Sequence, residues 1–513
     1  MAAAEGRAAT RVAAGILVTR ILGFVRERVF AHYFGNGELA DAFRAAYRIP
    51  NAIRNLLGEG TLSASFIPVY AGLIERGETE AARRVAGTIA SLLVLAAGVA
   101  TALGILLAPL ITDVVAPGFT GSTRDTTVRL VEIMFPMSGV TILAAWCLGV
   151  LNTHRRFFVA YAAPSLWNVA QIATLLALGG VLAGARLAVA LAFGALAGSI
   201  LQLAAQLPGT LRLVGRFHWG LRVDAPGTRR VLRAWGPVVV GAGVVQISSV
   251  VDTQLASLLG TGAVAVLGYA QLIALLPISL FGVSVAAAAL PELSRDAAGT
   301  GAERVGAEVA AAARRILFFV APSALAFAAF GDHIVAILFQ TGRFDATDTD
   351  LAAGVLAAYA VGLPAQASIK LFASGFYAVG DTRTPVKIAA VAVALSAGLA
   401  AAAMQVLGPA GIALGSAVAA YVNVGLLVRA LRRRAGGLGM DGHPGRLSAI
   451  LVGGVVGTGA GLAVEWLLAG GPRLLTGLGA LMAFGLAYLA GAAAAGHPDA
   501  RALARRWAAR LRP

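Results

Sequence analysis

Apolar runs long enough to cross a bilayer, about 20 residues each, recur from one end of this chain to the other, parted by short polar breaks in which arginine is frequent. The alternation predicts an all-α integral membrane protein with fourteen spanning helices. The first two lie in the opening stretch and continue to about Tyr70; the others fall near 85–111, 126–151, 159–181, 187–211, 234–257, 265–290, 315–338, 351–378, 386–405, 411–428, 447–468 and 475–495. The break RLVGRFHWGLRVDAPGTRRVLR is among the longest, and its Trp219 and basic residues suit the membrane interface. The tail HPDARALARRWAARLRP sets Leu503, Trp507 and Leu511 four apart, which predicts a basic amphipathic helix on the inner membrane surface.

Composition agrees. Of 513 residues, 58% are hydrophobic and only 13% charged, and the mean hydropathy is +0.80; soluble domains carry roughly 25% charged residues. A net charge of +16 would suggest nucleic acid in a soluble protein, but its distribution argues against that. Alternate breaks hold most of the 41 Lys and Arg, whereas the other set holds only Arg124, Arg186, Arg343 and Arg473. This is the positive-inside pattern, which predicts that both termini are cytoplasmic. MAAAEGRAATR is short and polar, and Arg20 and Arg26 interrupt the apolar run that follows, so helix 1 is expected to remain rather than be cleaved as a signal. The single cysteine, Cys147, reads as a packing residue.

The chain also repeats itself. Phe66-Ile67-Pro68, the outer loop Ala116–Phe119 and the inner turn at Arg155 recur in order as Ala289-Leu290-Pro291, Thr341–Phe344 and the turn at Arg383, at nearly constant offset. Six helices separate each pair, so the repeats share one orientation, as in transporters built from two parallel lobes. The expected division is an N-lobe at 1–222, a C-lobe at 223–434, two additional helices at 435–496 and a cytoplasmic tail at 497–513. Two pseudo-symmetric six-helix lobes suggest alternating access.

The candidate chemistry is concentrated in Thr19–Tyr70. Arg20, Arg26, Glu27, Arg28, Asp41, Arg44, Arg48, Arg54 and Glu59 interrupt two otherwise apolar helices. Charge at membrane depth costs about 2.5–3.5 kcal/mol per group on insertion scales, so it persists where it faces protein or a water-filled cavity. Arg20 and Glu27 share a helix face, and Asp41, Arg44 and Arg48 form a stripe on helix 2, which is expected to break at Pro50 and again near Gly58. Guanidinium forks match phosphate and carboxylate oxygens and stay charged when desolvated, so the cluster predicts a polyanionic substrate. The plain alternative is that Arg28, Arg44 and Glu59 snorkel or pair near the interfaces. Asp252 on helix 7, Gln271 on helix 8 and the isolated cation Lys370 on helix 10 are secondary candidates, for which interhelical hydrogen bonding is an equal explanation. Asp345, Asp348 and Asp350 read as a solvated helix start rather than a metal site. No GxxxxGK[ST] motif is present, and no cofactor or resident metal is implied.

TRILGFVRERVF, ADAFRAAYRIPNAIRNLLGEGTLSASFIPVY, LNTHRRFFVAYAAPSLWN, LFQTGRF and GFYAVGDTRTPVKIA together resemble the MurJ/MviN family of bacterial lipid II flippases, from about Arg11 to helix 11. The resemblance implies the fold of the multidrug/oligosaccharidyl-lipid/polysaccharide exporter superfamily, with helices 13 and 14 forming a groove for the lipid tail. It implies residence in the bacterial inner membrane and a role in cell-wall synthesis alongside other proteins of that process. The substrate it implies is undecaprenyl pyrophosphate bearing a disaccharide-pentapeptide. By motif, the essential arginines fall on Arg20, Arg26 and Arg54, the acids on Glu27 and Asp41, and a usual basic position on Arg48. Where the family typically has an acid-arginine pair early in helix 8, this chain has Gln271 and Leu272. Energy coupling could be to membrane potential or a monovalent cation. Export of another polyprenyl-linked glycan or of drugs, or a non-transporting scaffold, are the alternative readings; a glycosyltransferase or phosphatase would need a catalytic motif that is absent.

Overall fold

The computed structural model describes residues 2–299, 302–435 and 444–510. Among these the chain is helical, with one isolated β-bridge between Thr341 and Phe344. Eleven helices are long and apolar enough to cross a membrane, and they coincide with predicted spans three, four and six to fourteen. The other three expected spans are helical too, but each is interrupted by charge or by a break. Helix α1 (Ala2–Phe34) carries Arg20, Arg26, Glu27 and Arg28. The second span is divided into α2 (Glu38–Leu57) and α3 (Glu59–Glu75). Helix α2 runs through the buried Pro50 and stops at Gly58. A buried proline ring forfeits one hydrogen bond that the neighbouring turns can carry. At Gly58 a β-carbon would overlap the Arg54 carbonyl, so the abrupt turn requires glycine.

The chain divides into two compact units, Met1–Ala265 with Thr341–Phe344, and Val266–Gln340 with Asp345–Pro513. The first continues through α4 (Thr79–Leu106), α5 (Ala108–Val115), α6 (Gly121–Thr153), α7 (Phe157–Ala162), α8 (Ser165–Leu178), α9 (Ala185–Val214) and α10 (Pro226–Ser257). The fifth expected span is split into α7 and α8 at Pro164, which has no N–H to extend a helix and restricts the residue before it. Phe66, Tyr70, Ile89, Trp146, Val150 and Val214 pack in its core together with buried Cys147. Along α4, Val94, Leu95, Val99, Leu103 and Leu106 are exposed, the surface a lipid-facing helix presents.

Helix α10 follows the lobe boundary expected at 222, yet it packs within the first unit, held there by polar contacts. Gln254 Nε2 donates to the Val114 carbonyl (2.6 Å) and the Gly118 amide to Ser257 Oγ (3.1 Å). The turn Thr341–Phe344 joins the same unit through two interlocked glycines in the left-handed region, Gly35 (φ 58°) and Gly342 (φ 57°). A β-carbon on Gly35 would lie 2.6 Å from the Arg343 carbonyl oxygen, and the Arg343 amide donates to the His32 carbonyl at 2.9 Å. Beside this contact is a cavity of about 230 Å³, lined by His32, Tyr33, Leu182, Leu187 and Arg343 among others.

The second unit takes over within α11 (Ala263–Pro277), which passes through a π-helical turn, Ile278–Val283, into α12 (Ser284–Gly299). It continues through α13 (Ala302–Ala329), α14 (Gly331–Phe339), α15 (Ala346–Ala378), α16 (Arg383–Leu407), α17 (Pro409–Ala435), α18 (Pro444–Leu467), α19 (Arg473–Ala494) and α20 (Pro498–Arg510). Asp345 caps α15, accepting from the Asp348 amide at 3.0 Å, the solvated helix start expected there. Among the described residues no cluster of His, Cys, Asp and Glu could hold a metal ion. In α20, Leu503 packs against the core around Phe318, and His497 stacks on Phe318 at 4.2 Å; the side chain of Trp507, and Leu511 as a whole, lie outside the described residues.

Helices α18 and α19 form a hairpin closed by small residues. Gly453, Gly457 and Gly461, four apart, let the two backbones touch. A β-carbon on Gly457 would sit 2.9 Å from the Phe484 carbonyl oxygen. Gly457→Leu is therefore expected to separate the hairpin and to lower stability by about 1–3 kcal/mol. Thermal unfolding in detergent checks this; an unchanged midpoint would mean that the close approach contributes nothing.

Candidate functional site

Helices α1 and α2 bring part of the charged stretch together around one carboxylate. Glu27 accepts from Arg26 at 2.5 Å and, through its other oxygen, from Arg44 at 2.7 Å. All three side chains are less than a fifth exposed. One carboxylate thus joins two guanidiniums, and Asp41 lies within electrostatic reach of Arg44. Aromatic faces hold the arginines from the other side: the Arg26 guanidinium lies 4.6 Å from the Trp167 ring centroid and that of Arg44 5.3 Å from Phe30. Tyr47 stacks on Trp167 at 5.7 Å. The indole N–H of Trp167 is buried without a hydrogen-bond partner, a donor available beside the cluster. Arg44, for which snorkelling or pairing is the alternative reading, pairs with Glu27. Trp167, Tyr47 and Phe30 were not singled out, because an aromatic residue in an apolar helix looks like core.

Arg20 is exposed, two turns before Glu27. Its helical turn is fastened to α7 and α8: Thr19 Oγ1 donates to the Tyr161 carbonyl (3.1 Å), and Asn168 Nδ2 donates to the Thr19 carbonyl (3.3 Å). Arg48 reaches α10, donating from Nε to Thr253 Oγ1 at 2.7 Å, with the neighbouring Asp252 within electrostatic reach. Arg54 is half-buried in the last turn of α2, where Asn55 meets Gln246 of α10 at 3.5 Å. The side chain of Glu59 lies outside the described residues.

Asp41 has a different employment from its arginine neighbours. It is 1% exposed, and its two oxygens accept from the backbone amides of Gly262 (2.5 Å) and Ala265 (2.7 Å). Those are orphan donors at the start of α11, so Asp41 caps that helix from a distant part of the chain. Gly262 (φ 87°) makes the approach possible, since a β-carbon there would lie 2.5 Å from Asn36 Nδ2. In the second unit, Gln271 and Leu272 are half-buried on α11, and Lys370 is exposed on α15.

The family described as lipid II flippase MurJ matches residues 30–485. A probable lipid II flippase MurJ of Rhizobium tropici is 35% identical over 490 residues, covering 92% of this chain and 90% of its own. The chain belongs to the MurJ lipid II flippase family. A lipid II flippase MurJ of Burkholderia cenocepacia is 34% identical over 437 residues, covering 83% and 84%. Among solved structures, a MurJ in an inward closed conformation superposes with a TM-score of 0.77 at 24% identity, covering 94% of this chain and 97% of that one. An inward-facing multidrug MATE transporter of the MOP superfamily gives 0.67 at 16%, covering 85% and 100%. These likenesses establish the fold. MurJ members are transporters, not enzymes, so the polar cluster has binding and gating to account for rather than catalysis.

Two outcomes separate structural from substrate roles. Glu27→Gln leaves Arg26 and Arg44 without their anion and is expected to destabilise the protein by on the order of 3 kcal/mol, read as a lower unfolding midpoint; wild-type stability would mean that the arginines do not depend on it. Asp41→Ala should cost about 2 kcal/mol as a lost cap, whereas Asp41→Asn, which keeps one of the two acceptor oxygens and turns an N–H toward the other amide, should be destabilised as well. Wild-type unfolding midpoints for both variants would show that the cap contributes nothing to the fold.

Proposed function

We propose that this chain flips lipid II from the cytoplasmic to the outer leaflet of the bacterial inner membrane by alternating access, with both termini cytoplasmic. The observation that carries the site assignment is the Arg26–Glu27–Arg44 cluster against Trp167. It places two guanidiniums at membrane depth with an unused N–H donor beside them. A pyrophosphate is the match for such a group, because its oxygens accept from guanidinium forks and from an indole N–H.

In this reading Arg20, Arg26 and Arg54 hold the pyrophosphate, and Glu27 holds Arg26 and Arg44 side by side against their mutual repulsion. Arg48, tied to Thr253, senses the position of α10. The lobes rock about the bound headgroup while the isoprenoid stays in lipid beside α18 and α19. Membrane potential or a monovalent cation supplies the driving force. Leu272, where the family has arginine, favours a second reading in which the glycan or peptide of the cargo differs.

Arg26→Ala and Arg54→Ala should each fail to replace an essential flippase in cells while folding normally, and should stop lipid II translocation in proteoliposomes. Full replacement by both variants would remove these arginines from the site. Translocation of a lipid-linked glycan other than lipid II by the wild type would favour the second reading.

A further inference from the structure

The inner turn after α6 contains the one non-glycine residue with a positive φ among the described residues, Arg155 at 59°. The turn is closed by two bonds, from the Arg155 amide to the Asn152 carbonyl (3.0 Å) and from the Arg156 amide to the Leu151 carbonyl (2.8 Å). This pair is the Schellman closure, whose left-handed position is normally glycine because a side chain there meets the following carbonyl. The chain itself supplies the control. The same two closing bonds end α3 at Gly77, α15 at Gly380 and α19 at Gly496, all glycine at φ 73°, 77° and 95°. Gly380 follows Arg155 by the same interval that separates Phe119 from Phe344 in the internal repeat. One copy of the repeat therefore uses glycine, and the other keeps an arginine in a strained conformation.

The arginine is not needed for packing. Arg155 and Arg156 are both exposed, and among the described residues no carboxylate lies within 4.0 Å of either guanidinium. The turn is anchored without them, by His154 Nε2 at 3.1 Å from the Tyr70 hydroxyl. Immediately after the two arginines come Phe158, 58% exposed, and Val159, 40% exposed, on a short helix that packs along α1. Paired cationic groups beside exposed apolar side chains form the pattern that meets a lipid headgroup and its first methylenes.

We infer that Arg155, with Arg156, binds the phosphate of a lipid in the leaflet facing the arginine-rich side. This takes its orientation from the proposed topology but does not require the proposed cargo. Two lipids share that chemistry, an anionic phospholipid of the bilayer and a polyprenyl pyrophosphate, and one experiment distinguishes them.

The full-length protein, Arg155→Gly and Arg155→Lys are compared. Unfolding midpoints are taken without added lipid, and binding of phosphatidylglycerol and of undecaprenyl pyrophosphate is then titrated in phosphatidylcholine nanodiscs by native mass spectrometry. Arg155→Gly is expected to unfold at the same temperature or higher, because glycine relieves the turn, and yet to bind at least one of the two lipids about tenfold or more weakly. Arg155→Lys should lie between. Loss confined to the pyrophosphate assigns the site to that lipid, loss confined to phosphatidylglycerol assigns it to the bilayer, and loss of both means that it reads phosphate alone. Unchanged binding of both lipids by Arg155→Gly overturns the proposal. So does a lower unfolding temperature for that variant, since the arginine would then be serving the fold.

Discussion

Between the two faces of a membrane, a charge or an unpaired backbone group has no water to turn to and must be answered from within the protein. The first unit is organised by that requirement. The free amides at the start of α11 are met by Asp41, the carbonyl of Val114 by Gln254, and the two guanidiniums on α1 and α2 by Glu27 and aromatic faces. Each answer also joins segments far apart in sequence. Asp41 alone links α2 to Gly262, 221 residues later and just before α11, so the polar groups that cost most to bury do much to define the tertiary contacts.

How much of this the sequence discloses depends on whether a property adds up locally or is settled by a distant neighbour. Hydropathy adds up: every one of the eleven long apolar helices lies where an apolar run was read. Glycine and proline are less transparent, because their effect depends on what lies across from them. Pro50 carries the stronger sequence signal for a break, yet its ring is accommodated in a buried turn of α2, while Gly58 yields because its own carbonyl neighbour at Arg54 leaves no room for a β-carbon. For the same reason α10, which follows a long basic break, could be placed along the chain but not by its contacts. Those depend on single pairings such as Ser257 with Gly118.

The site was legible to the same degree. Arginine in an apolar helix announces itself by its cost but not its partner: helical spacing sets Arg20 on the face of Glu27 and Arg26 on another side, whereas it is Arg26 that pairs with Glu27. Trp167 does not announce itself, because an indole among leucines looks like packing until a guanidinium is found over its face. Asp41 misleads in the opposite direction. It lies in a stripe with Arg44 and Arg48 and invites an ion-pair reading, but a helix terminus competes for the same carboxylate and supplies two short, directed bonds. For a carboxylate that can be reached by backbone amides, directed bonds of that kind outweigh a charge partner held by a long flexible chain.

The two halves of the repeat share a topology and differ in charge, and the difference runs one way. The first half carries Arg26, Arg44, Arg48 and Arg54 on α1 and α2 and one more arginine at a turn where the second half has Gly380, while Lys370 on α15 is exposed. Duplicated folds do not need such a bias for stability, since the glycine turns close with the same hydrogen bonds as the arginine one. An uneven charge on an even scaffold is what an amphiphile with its anionic part at one end would select. In the proposed flippase, the half that carries the arginines is the one that would hold the anionic end of the cargo while its apolar end stays in the lipid.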